Sequence, residues 1–174
     1  ADVVIWAQIY IYSSPASTRV DYPALGTVAL IAPGLGLFLI FGLSLMYRTV
    51  LKRKTITIFE TIEAMIAFLL AACSLIYFGP PASALGLGVF CVVLSGVGYA
   101  GALAYFDHAQ EQRNYLVFAS WSAALLLAGS LICVSQVWLP IWLSLAAVAA
   151  TYASARMQRL ALEIHGLLFL FGAA

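Results

Sequence analysis

Charge is what this chain has least of. Eight Lys/Arg and seven Asp/Glu are spread over 174 residues, 9% of the total, and they gather into neither an acidic nor a basic tail. Soluble domains carry roughly a quarter of their residues as Asp, Glu, Lys and Arg. So little polar surface excludes an ordinary water-soluble fold, and with it a basic face for nucleic acid. Cysteine is sparse too. Cys73, Cys91 and Cys133 form no C-x-x-C pair and fall inside apolar runs, where Cys behaves as a small hydrophobe. G-x-S-x-G, Walker A and H-E-x-x-H are all missing. Neither a catalytic set nor a metal or cofactor site is therefore expected. No clear internal repeat emerges, which weakens an inverted-repeat transporter reading.

What fills the space is apolar, 64% of the chain. A bilayer core about 30 Å thick needs roughly 20 apolar residues of helix, because every backbone polar group must be bonded internally. Thr27–Tyr47, Thr55–Phe78, Ala82–Phe106, Tyr115–Ser135 and Trp138–Ala155 meet that need, the last with Pro140 in its first turn, where a missing N–H costs little. Their continuity excludes a β-barrel, whose strands alternate lipid-facing and lumen-facing residues. The expected fold is an all-α, polytopic transmembrane helical bundle with five complete spans and partial helices at both ends. Val3–Tyr12, with Trp6, Tyr10 and Tyr12 as an aromatic belt, is expected to be the last three turns of a preceding helix. Leu160–Ala174 starts a sixth span. Residues 1–174 are thus expected to form one membrane-embedded helical domain, a fragment of a larger polytopic protein.

Seven of the eight Lys/Arg fall in alternate loops. Arg48, Lys52, Arg53 and Lys54 lie in the first loop, Arg113 in the third, and Arg156 and Arg159 in the fifth, while Arg19 stands alone on the other side. Excess Lys/Arg marks cytoplasmic loops. Loops 48–54, 107–114 and 156–163 are accordingly expected on the cytoplasmic side of a plasma or inner membrane, with Ser13–Gly26 outside. These cations also suit anionic lipid headgroups.

Few ionisable groups enter the apolar runs. Glu60 and Glu63 lie at the start of the second span. Helical spacing continues Glu60 through Ala64, Ala67, Ala71 and Ser74, a small-residue face suited to helix packing. Intramembrane carboxylates can mark a proton or substrate path, but acidic residues in a first helical turn also favour the helix dipole, and Arg53 and Lys54 are near. His165 sits deeper than Arg156 and Arg159 and suits a helix–helix hydrogen bond, a haem ligand or a proton carrier. No second buried His completes a bis-His haem site. Gly96, Gly98 and Gly101 spell G-x-G-x-x-G inside an apolar run, without the strand that a dinucleotide site requires. With Ala100 and Ala104 they are expected to pack against another helix. Asp107, His108 and Glu111 form a polar turn.

The leading functional expectation is a non-catalytic membrane module, serving as scaffold, sensor or complex subunit. A transporter or permease segment, with Glu60 and Glu63 lining a polar path, is the alternative. A membrane-embedded enzyme with a cytoplasmic-face site is third. The expected partners are the lipid bilayer and further transmembrane helices of the same or another chain.

Overall fold

The computed structural model describes residues 1–14, 25–106 and 112–174, and every regular element among them is helical. In chain order these are α1 (Asp2–Ser13), α2 (Thr27–Met46), α3 (Ile58–Phe78), α4 (Ala82–Gly101), α5 (Gln112–Cys133), α6 (Leu139–Met157) and α7 (Leu160–Ala173). π-helical turns extend α2 over Tyr47–Leu51 and α4 over Ala102–Phe106. Four helices among the described residues are long and apolar enough to cross a membrane: Thr27–Leu51, Ile58–Phe78, Ala82–Tyr105 and Gln112–Cys133. The fifth expected span, α6, is not among them. It is 19 residues long and carries Thr151, Tyr152, Ser154 and Arg156 in its second half.

Local chemistry sets the helix boundaries. Thr57 and Glu60 close a capping box at the start of α3, satisfying donors that the first turn leaves without intrahelical partners. Gly79 ends α3, and Pro80-Pro81 separates it from α4, whose first turn opens with Ser83 N–H donating to the Pro80 carbonyl at 2.8 Å. α6 ends where Gln158 turns left-handed, φ 53°, and its Ser154 hydroxyl donates to the Arg159 carbonyl at 3.0 Å.

The helices gather into two compact units, residues 1–84 and 85–174. In the first, α2 and α3 approach closely because Gly34 has no side chain. A Cβ there would lie 2.9 Å from Ser74 Oγ and 3.2 Å from Ala71 Cα. Ala64, Ala67, Ala71 and Ser74 are all buried along α3, the stripe that their spacing implied. α1 joins this pair lengthwise. Its Ile5 and Ile9 are buried with Leu37, Ala67 and Leu70, which lie midway along α2 and α3. A polar contact adds to this packing. Pro33 lacks the N–H that would bond the Ala29 carbonyl four residues back, and the Gln8 amide of α1 donates to that carbonyl at 3.0 Å. A proline inside an apolar helix is tolerated here because a neighbouring helix fills the freed acceptor.

In the second unit, small residues again set the spacing. A Cβ on Gly129 of α5 would lie 2.7 Å from the Gly88 carbonyl of α4. Further along the same pair, Ser95 donates to the Ser122 carbonyl at 2.7 Å. Trp142 of α6 donates to Ser130 of α5 at 2.8 Å. Gly166 of α7 faces Thr151 and Ala147 of α6, and Gly172 lies between Leu127 and Leu143. α6 and α7 therefore run antiparallel as a hairpin. Buried Ala123, Ala147 and Phe169 join α5, α6 and α7 at mid-height.

Candidate functional site

The densest polar corner of the first unit lies where α2 ends and α3 begins. The widened π turn at Tyr47–Leu51 carries Arg48, and the capping box at Thr57 fixes Glu60. Glu60 Oε2 accepts from the Thr57 N–H at 2.8 Å and from the Thr57 hydroxyl at 2.9 Å, and Thr57 Oγ1 accepts from the Glu60 N–H at 3.2 Å. Glu60 Oε1 pairs with Arg48. Both carboxylate oxygens are therefore committed. The partner is Arg48, not Arg53 or Lys54, the cations nearest in sequence to the start of α3. Arg53 instead makes the turn between the helices with φ 48°, and the Lys54 N–H donates to the Arg48 carbonyl at 3.0 Å, folding the loop back on the end of α2. The Lys52 ammonium lies 5.1 Å from the Tyr47 ring centroid. Lys52, Arg53 and Lys54 are all exposed.

Glu63 stands one turn further into α3 and is half-buried. It lines a cleft of about 130 Å³ together with Phe41, Ser44, Leu45, Arg48, Glu60 and Ala64. Among the described residues no hydrogen bond or ion pair engages its carboxylate. The structure thus brings Glu60 and Glu63 to one cleft with a single cation between the helices.

His165, the third ionisable candidate, lies in the second unit and is only 4% exposed. Its Nδ1 is 3.0 Å from the Tyr99 hydroxyl of α4, with the rings edge to face, so it links α7 to α4. Beside it the Arg159 guanidinium packs over the Tyr115 ring at 5.2 Å, and Asn114 and Tyr115 are buried. Arg156 is exposed near the end of α6. This is a closed, packed contact between neutral side chains and one flanking cation.

The glycine-rich face of α4 divides. A Cβ on Gly98 would run into the Ser122 hydroxyl, so Gly98 is a helix contact. Gly96 and Gly101 have nothing within 4 Å of an added Cβ, and Ala104 is exposed. Within this unit, the face of α4 packed against α5 runs through Gly88, Cys91, Ser95 and Gly98, nearly half a turn from the expected Gly96–Ala100–Ala104 line. The three cysteines are free thiols. No group of three or more His, Cys, Asp or Glu able to hold a metal occurs among the described residues. Arg19, Asp107, His108 and Glu111, with most of the expected external loop and the polar turn at 107–111, lie outside the described residues.

Sequence reasoning missed Thr57, although Thr57-Ile-Phe-Glu60 just before an apolar run is the capping-box signature. It also missed Tyr99 as the partner of His165. That contact joins residues 66 apart, and no local pattern encodes it. No protein-family model, curated protein or solved structure matches this chain.

Proposed function

We propose that this chain is a non-catalytic integral membrane module whose helices serve as a scaffold, sensor or complex subunit. The observation that carries the reading is the state of Glu60. A carboxylate on a substrate path must be free to exchange partners, whereas both oxygens of Glu60 are held by the Thr57 cap and by Arg48. Several other polar side chains along the helices do packing work as well. Thr49, Ser74, Ser122 and Thr151 bond back to carbonyls of their own helices, and Ser95, Trp142 and His165 bond across to neighbours.

In this reading α6 is a fifth crossing. Its 19 residues reach about 28 Å at 1.5 Å per residue, and it runs beside α5 from the Trp142–Ser130 bond to the Ser154–Arg159 turn near Tyr115. Loops 48–54, 107–114 and 156–163 face the cytoplasm of a plasma or inner membrane, in line with the alternating Lys/Arg count. Single cysteines at Lys52 and Gln136, in a background without the native thiols, test this. Labelling from opposite sides, Lys52 from within, is expected. Labelling from one side would sink the span model.

The half-buried carboxylate of Glu63 in a cleft favours a second reading, a transporter segment with Glu60 and Glu63 on a polar path. Proteoliposomes loaded with a pH-sensitive dye distinguish the two. The scaffold reading expects no proton flux above protein-free vesicles under an imposed potential. Flux that Glu63→Gln abolishes would replace it with the transporter reading.

A further inference from the structure

We propose that the cleft between the end of α2 and the start of α3 is a binding site for the headgroup of an amine-bearing phospholipid, with the primary ammonium on Glu63 and the phosphate toward the Lys52–Lys54 loop. The inference rests on the membrane placement proposed above, though not on the scaffold role.

The charge count in the cleft comes first. Among the described residues Arg48 is the only cation lining it, and that guanidinium pairs with Glu60, whose other oxygen the Thr57 cap holds. Glu63 therefore stays half-buried with no ion pair or hydrogen bond among the described residues, and the cleft carries one net negative charge. A half-buried carboxylate with no partner offers two open acceptor oxygens, and a cation with N–H donors satisfies them.

Size and depth narrow the class of cation. About 130 Å³ gives room for an aminoethyl group. The walls grade from polar, at Ser44, Glu60 and Glu63, to apolar, at Phe41 and Leu45. The cleft opens between two helices of membrane-spanning length, close to their shared end, which is where headgroups lie. Exposed Leu43, Met46, Ile62 and Ile66 on the same helical turns give acyl chains a surface to lie against.

The loop supplies the opposite charge at the correct end. The Lys54 N–H bond to the Arg48 carbonyl brings Lys52, Arg53 and Lys54 back over the residue that lines the cleft, and all three are exposed. A carboxylate in a cleft beside a cationic rim matches the dipolar headgroup of phosphatidylethanolamine. Phosphatidylcholine has the same phosphate, but its quaternary ammonium has no N–H to donate. Phosphatidylglycerol has the phosphate and no cation.

The test is lipid retention by the full chain, read by native mass spectrometry after equilibration with phosphatidylethanolamine, phosphatidylcholine or phosphatidylglycerol of identical acyl chains. Retention of ethanolamine over choline lipid by about tenfold is expected, the scale of one charge-assisted hydrogen bond. Glu63→Gln should bring that ratio close to one. Lys52→Ser with Arg53→Ser should lower retention of all three lipids and leave the ratio in place. Ser44→Phe, a change at an exposed position, should fill the cleft and lower the ratio without altering charge, and it decides the matter if Glu63→Gln does not fold. Equal retention of ethanolamine and choline lipids by the unmodified protein would overturn the proposal. So would a preference that survives in Glu63→Gln and Ser44→Phe, or glycerol lipid favoured over ethanolamine lipid regardless of Glu63. Inverted labelling at Lys52 would place the site in the other leaflet and refute the topology alone.

Discussion

The corner of Arg48 and Glu60 and the contact of Tyr99 with His165 are opposite ways of placing polar groups in an apolar chain. Arg48 and Glu60 remain 42% and 18% exposed and are surrounded by backbone donors, a cap and an open cleft. His165 is 4% exposed and relies on one hydroxyl across a closed helix contact. Charge is kept at the helix ends, where exposure lowers its cost, and the interior is left to neutral donors and acceptors. The interior is therefore where single substitutions should matter most.

The steric contacts of the interior should give the largest effects. Gly88 and Gly129 face each other across α4 and α5, and Gly88→Leu would drive its side chain into Cys133 and Ile132. A loss of about 1–3 kcal/mol in detergent unfolding is expected. Gly96→Leu, two turns along the same helix and open on its outer side, should stay within about 0.5 kcal/mol. Equal losses at the two positions would mean that the outer face of α4 is also packed.

Tyr99→Phe comes next. It removes one hydroxyl and leaves a buried imidazole nitrogen without its partner, at a cost of about 1–3 kcal/mol. His165→Phe combined with Tyr99→Phe should recover part of the loss, because two apolar rings leave nothing unsatisfied. A double variant as unstable as the sum of the single ones would mean that the bond is not the source of the loss.

These two cases mark how far the sequence could be read. The helices themselves were legible, since apolar runs with charged loops predict Ile58–Phe78 and Gln112–Cys133 to within three residues at each end. The buried stripe from Ala64 to Ser74 was legible as well, because helical periodicity fixes which residues share a face. Which face of α4 meets α5 was not. Gly96 and Gly98 are equally small, and only the position of Ser122 on another helix singles out Gly98. The pairing of Glu60 with Arg48 was hidden for a related reason. Arg53 and Lys54 are closer in sequence, but a left-handed residue and a π turn redirect the chain between them, and neither leaves a mark in composition. α6 falls outside the four helices long and apolar enough to cross, because its hydroxyls and Arg156 dilute the apolar run.

The docking of α1 offers a test at about 0.5–1.5 kcal/mol, the usual net contribution of one hydrogen bond. Gln8→Leu should cost that much by leaving the Ala29 carbonyl without a donor. In a Pro33→Ala background the restored N–H takes up the same carbonyl within α2, and Gln8→Leu should then be nearly silent. Undiminished loss in that background would show that Gln8 holds α1 by packing alone.

The smallest effect belongs to Arg48 in the charged corner, where the cap and the ion pair can be separated. Thr57→Val removes the hydroxyl that accepts from the Glu60 N–H and donates to its carboxylate, and a lost N-cap costs about 0.5–2 kcal/mol. Arg48→Met keeps most of the aliphatic stem and removes only the guanidinium. Because that group is 42% exposed, solvent screens the pair, and the expected cost is about 0.2–1 kcal/mol. Salt distinguishes the two further. Raising ionic strength from about 0.01 M to 1 M shortens the screening length from about 30 Å to 3 Å, so the Arg48→Met effect should shrink while the Thr57→Val effect persists. An Arg48→Met cost that exceeds the Thr57→Val cost and resists salt would mean that the pair is shielded from water. The corner would then behave like the interior, and the division of labour between helix ends and helix contacts would fail.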